Sequence, residues 1–106
     1  MLVYRVENLD RIGPYDSSDY RLESMNRSHD RSHLHPIFEP INDELFCGFS
    51  SIKKFKKWFR GWRAKLSRCG FYLGVFDVDP NYIEHDWSKK QLAFPRNMAQ
   101  MIQKLN

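Results

Sequence analysis

Residues 52–78, IKKFKKWFRGWRAKLSRCGFYLGVFDV, decide the fold, because the hydrophobic period changes within them. In the first part Ile52, Phe55, Trp58, Phe59, Trp62 and Leu66 recur at spacings of three and four, which gathers them on one stripe of a helix. Ser50 or Ser51 supplies a hydroxyl to cap that helix, and Gly70 ends it. Gly61 weakens it in mid-course by about 1 kcal/mol relative to alanine and leaves room for another backbone to approach. The second part, FYLGVFDV at 71–78, is rich in aromatic and β-branched residues on both faces, the pattern of a strand lying centrally in a sheet.

Upstream, LFCGF (45–49) reads as a short buried strand, and LVYRVE (2–7) alternates with the period of a half-buried one. Between them, from Gly13 to about Glu44, Ser, Asp, Asn, Arg and His predominate, with Pro36 and Pro40 as breakers and only a weakly signalled helix at 19–26. Downstream, Asp79-Pro80-Asn81 is a turn and KQLAF (90–94) a last short strand. Arg96–Leu105 reads as a closing helix with Met98, Met101, Ile102 and Leu105 as its stripe. The expectation is one α+β domain over 1–106. A short mixed or antiparallel sheet packs with a basic amphipathic helix and a C-terminal helix, and 16–44 forms a long loop free to move.

With 106 residues, 42% of them apolar and 15% aromatic, the chain supports a single packed core, and wholesale disorder is excluded. No apolar run approaches the length of about 18 residues that spans a bilayer. MLVYRVENLD lacks the pattern of a signal peptide, so Cys47 and Cys69 are read as reduced thiols of a cytoplasmic protein.

The net charge of +4 is unevenly laid out: residues 52–68 hold eight basic side chains and no acid, which leaves −4 for the rest. Asp77, Asp79, Glu84 and Asp86 fall in a stretch without Lys or Arg. Charge segregated in this way marks either a partner-binding face, with Lys53, Lys54, Lys56, Lys57, Arg60 and Arg63 as the contact residues, or internal pairing with the 77–86 acids. Cations interleaved with Trp58, Phe59 and Trp62 also suit a nucleic-acid backbone, although aromatics at helical spacing belong to a core before they belong to a stacking platform.

Other chemistry is thinner. His29 and His33 would share a helix face at i, i+4, with His35 close by, but their Ser, Asp and Arg neighbours favour a solvated loop, and no metal is expected. Cys47 in an apolar strand and Cys69 at a helix C-terminus are both read as structural, since a helix C-terminus disfavours a thiolate. Arg5 sits mid-strand with Val3 and Glu7 on its own face. It is either a solvent-facing partner of Glu7 or a guanidinium fork held rigidly for a diphosphate or carboxylate.

VYRVEN (3–8), GPY (13–15), His35-Pro36, CGFSS (47–51) followed by Trp58-Phe59, GFYLGVFDV (70–78) and QLAF (91–94) resemble a group of small bacteriophage and prophage proteins with no settled activity. The resemblance implies a phage accessory protein of the host bacterial cytoplasm. It would bind and modulate a bacterial host protein, in counter-defence as an anti-CRISPR-like inhibitor for example. A fainter likeness to the ADP-ribosyltransferase-like fold implies an alternative, an enzyme that transfers ADP-ribose from NAD to a host target. Arg5 would match the residue that holds NAD, Ser50 or Ser51 the one that orders the site, and Gln91 the late Glu or Gln. Gln91 departs from the acid of the active enzymes, because a neutral amide stabilises developing positive charge less well than a carboxylate. A nucleic-acid-binding protein using helix 52–68 is the third reading. The first and third need no cofactor; the enzyme reading needs NAD. A membrane is not expected among the partners, and the sequence leaves the oligomeric state open.

Overall fold

Strand β1 (Leu2–Glu7) runs antiparallel to β3 (Tyr72–Asp77), which runs antiparallel to β6 (Gln100–Leu105), in a computed structural model that describes residues 1–17, 19–28, 45–85 and 90–105. The aromatic and β-branched stretch at 72–77 is therefore the central strand, as its composition suggests. A second three-stranded antiparallel sheet has the order β2 (Leu45–Gly48), β5 (Leu92–Pro95), β4 (Glu84–His85). The two sheets are stitched by Tyr4 and Phe49, whose backbones exchange hydrogen bonds at 2.9 and 2.7 Å.

The registers fix what each face of the first sheet carries. Tyr4 and Val6 lie opposite Val75 and Leu73, while Val3, Arg5 and Glu7 lie opposite Phe76, Gly74 and Tyr72. On the first face Val6 and Leu73 join Phe49, Phe55, Phe59, Leu66 and Phe71 in a core covered by helices. On the second, Val3 and Phe76 meet Leu92 and Phe94 of β5, with the Phe76 and Phe94 rings 5.7 Å apart. Full burial of one such ring contributes about 2–3 kcal/mol. The sheets approach closely at Gly48, where an added Cβ would stand 2.6 Å from Val3 Cγ1 and 3.1 Å from the Tyr4 carbonyl oxygen. Only a glycine fits there.

The basic segment is helical but not one helix. Ser51 caps α2 (Ile52–Trp58) by accepting from the Lys54 amide at 3.2 Å, the role its hydroxyl suggests. The chain then turns through Phe59–Trp62 and resumes as α3 (Arg63–Arg68). Gly61 has φ +84° with nothing within 4 Å of a Cβ position, so it is there for its left-handed backbone and not for close approach. Beyond α3, Gly70 (φ +89°) donates to Ser67 O and Phe71 to Leu66 O, the paired bonds of a Schellman cap.

The segment at 96–105 is not a helix. A single turn of 3-10 helix at Arg96–Met98 leads into strand β6. Its apolar residues keep a helical spacing but do not share a face, because a bulge intervenes: Val75 pairs with Gln103 but Phe76 with Met101, so Ile102 is an extra residue. The bulge puts Met101 against the Phe76 core and Leu105 against the helix-side core, on opposite faces.

Part of 16–44 is ordered against the core. A 3-10 turn at Tyr20–Leu22 runs into α1 (Glu23–Ser28), and Leu22 and Met25 are fully buried. Asp19 caps this turn and also pairs with Arg21 at 2.6 Å. The Arg21 hydrogen bonds hold the Asp19 carboxyl at about 2, below the usual carboxylate range. No helix among the described residues is long and apolar enough to cross a membrane.

Candidate functional site

The break at Gly61 bends the basic segment around a shallow concavity of about 790 Å³. Lys53, Lys56 and Lys57 line it from α2, Arg60 from the turn and Arg63 from α3, with Ile52 as the apolar member. All five cations are exposed, and among the described residues none of them takes part in an ion pair. Lys54, expected in the same set, does not line this basin. Two of the 77–86 acids are used elsewhere: Asp77 faces the chain's amino group at 3.4 Å, and Asp79 caps the turn at Pro80–Tyr82. Asp86 lies outside the described residues. Five like charges around one hollow attract a polyanion, and the attraction weakens as salt rises.

The aromatics between these cations do not face outward. Phe55 and Phe59 are buried, and half-buried Trp58 and Trp62 pack against the same core. Trp58 Nε1 donates to the Tyr15 hydroxyl, while Lys65 Nζ stands 5.5 Å from the Trp62 ring centroid. Stacking on bases is therefore not what these rings are placed to do.

Arg5 is neither solvent-facing nor an open fork. It is 7% exposed, on the face of β1 that packs toward the second sheet. Its Nε donates to Glu7 Oε1 at 3.0 Å, Nη1 to Cys47 O at 2.8 Å and Nη2 to Arg11 O at 3.3 Å, and its guanidinium lies 4.7 Å from the Phe46 ring centroid. Glu7 is fully buried and also accepts from Arg96 Nε and Nη2, each at 3.1 Å, and from the Tyr72 hydroxyl at 2.9 Å. Burial by itself would raise the Glu7 carboxyl; the Arg96 and Tyr72 hydrogen bonds and the two guanidinium charges outweigh it and hold the pKa below the usual range. Burial, and then the bond to Glu7, push the Tyr72 phenol up. This satisfied cluster ties β1, β3 and the turn after β5 together. Sequence reasoning missed Arg96 and Tyr72 because nothing local marks a partner so far along the chain.

The other residues of the expected nucleotide site do not line the hollow beside Arg5. Arg5 lines a concavity of about 300 Å³ with Gly13, Tyr15 and Cys47, and Ser50, Ser51 and Gln91 do not line it. Ser51 is the cap of α2, and Gln91 is buried just before β5. Cys69 is half-buried beside Asp19, and burial first, then the Asp19 charge, raise its thiol, consistent with a structural role. Cys47 is half-buried in β2, its carbonyl engaged by Arg5. His29, His33 and His35 lie outside the described residues. Among the described residues no three His, Cys, Asp or Glu side chains gather as a metal site.

A family model described as Bacteriophage T4 Y00F protein matches residues 1–106. No curated protein and no solved structure gives a significant match.

Proposed function

The chain belongs to the bacteriophage T4 Y00F protein family, and on that premise we propose that it is a phage accessory protein that binds and modulates a bacterial host protein in the host cytoplasm. The contact face is the cationic basin of α2 and α3. The observation that carries this reading is the set of five exposed cations, Lys53, Lys56, Lys57, Arg60 and Arg63, around one hollow with no ion pair among the described residues. Charges held in that way add little to the fold and much to the rate and selectivity of an encounter with an acidic surface. Inhibition of a host defence system, CRISPR included, is one way such binding would modulate its target.

A nucleic-acid backbone would also answer to five cations. The inward packing of Phe55 and Phe59 and the engagement of Trp58 and Trp62 favour an acidic protein. Affinity capture from bacterial lysates tests the reading. A stoichiometric partner is expected, lost in the triple variant Lys53→Glu, Lys57→Glu, Arg60→Glu. Capture of nothing across several hosts would overturn it, as would salt-sensitive duplex binding stronger than any protein capture.

A further inference from the structure

Beside the basin lies a second concavity, of about 460 Å³, and the two share Ile52, Lys56 and Arg63. Its character is different. Phe55, Leu66, Phe71 and Leu73 of the helix-side core line it, together with Ala64 of α3 and Leu105 of the edge strand β6. Its volume falls within the range of about 300–1,000 Å³ typical of hollows that take a ligand-sized group. Among the described residues no acid lines either concavity.

Resting on the reading of the basin as a docking face, we propose that cleft and basin form one composite site for an acidic segment of the partner protein that carries a bulky apolar side chain. The apolar side chain enters the cleft, and the carboxylates flanking it spread over Lys53, Lys56, Lys57, Arg60 and Arg63. Charge complementarity selects this occupant. A single fatty-acid head group pairs with one or two cations and leaves the rest of a basin of about 790 Å³ unmatched. A segment with several carboxylates matches their number. Lys56 and Arg63 stand where apolar and cationic surfaces meet, so a carboxylate next to the anchor reaches them as the anchor is desolvated. A bulky side chain in a pocket with charges at its rim is the arrangement in which a few residues supply most of a binding energy.

Calorimetry on the full chain, with a short synthetic peptide of Asp and Glu carrying a central Phe-Leu pair, tests the proposal. A control peptide has Ser-Ser in place of that pair. The Phe-Leu peptide is expected to bind at least about tenfold tighter, the step that corresponds to about 1.4 kcal/mol. Ala64→Trp or Ser67→Phe, each adding bulk to the cleft from an exposed position on α3, should erase that preference and leave weak, salt-sensitive binding of both peptides. Thermal unfolding of the two variants checks that they fold. Equal affinity for the two peptides, or indifference to both variants, overturns the proposal. Decanoate that binds in an Ala64-dependent way while neither peptide binds would assign the cleft to a fatty acid and also overturn it, as would an oligothymidine that binds more tightly than the peptides. Lysate capture that is lost in the charge-reversed triple variant and intact in Ala64→Trp would sink this inference and spare the docking face.

Discussion

Arg96 and Glu7 meet side by side, Nε on Oε1 and Nη2 on Oε2, both at 3.1 Å, so the turn after β5 is pinned to the last residue of β1. Removing the carboxylate charge takes from two buried guanidinium groups the carboxylate that they share. Glu7→Gln should therefore cost about 3–5 kcal/mol, as breaking one partner of a buried pair does. Urea denaturation measures it. A cost under about 1 kcal/mol would mean that the cluster is hydrated and its charges screened.

The same carboxylate sets an acid limit on stability. Its folded pKa is lowered from 4.5, so near that pH the unfolded chain binds more protons than the folded one. The stabilisation is complete above the unfolded value and is lost as pH falls through the folded one. Arg5 and Arg96 stay charged throughout. The urea midpoint should drop as pH falls from about 5 to 3, and more steeply for the native sequence than for Glu7→Gln. Parallel pH profiles would assign the acid sensitivity to other carboxylates.

Gly61 offers a test by sign. If 52–68 were one unbroken helix, Gly61→Ala would stabilise the protein by about 1 kcal/mol. At φ +84°, with open space around the Cβ position, alanine should instead destabilise it by about 1–2 kcal/mol. Gly61→Asn should cost less than Gly61→Ala, since Asn enters the left-handed region more readily. Thermal melts of the two variants decide between a turn and a continuous helix.

At Gly48 the obstacle is space, not backbone angle. An alanine methyl would stand 2.6 Å from Val3 Cγ1 and 3.0 Å from Phe94 Cε1, with the Tyr4 carbonyl behind them. Gly48→Ala should cost about 1–3 kcal/mol by overpacking. Adding Val3→Ala should recover part of that loss, because it removes the nearest atom. Chemical denaturation of the single and double variants gives the coupling, and strict additivity would show that the contact with Val3 is not the cause.

Local patterns carried about half of this molecule. The alternation at 2–7, the aromatic run at 71–78 and the cap at Ser51 are properties of neighbouring residues, and each lies where its pattern puts it. What failed needed knowledge of distant partners. Met101 and Leu105 share a helical spacing, yet the bulge at Ile102 sends them to opposite faces of a strand, which no count along the chain detects. Arg5 and Glu7 look like solvent-side residues until the second sheet covers them. The basin was half legible: the cations are plain in the sequence, but the hollow they surround depends on the left-handed turn at Gly61.

The Tyr4–Phe49 bridge has a mechanical consequence. Two residues beyond Phe49 the chain reaches Ser51, the cap of the helix that carries the basin, while the Phe49 ring is held among Phe55, Trp58 and Phe59. Beyond Arg68 the same segment runs through Phe71 into β3, so the chain itself anchors the basin in both sheets, and the Tyr4–Phe49 pair, with the Arg5 and Arg96 side-chain bonds, keeps those two anchors from moving apart.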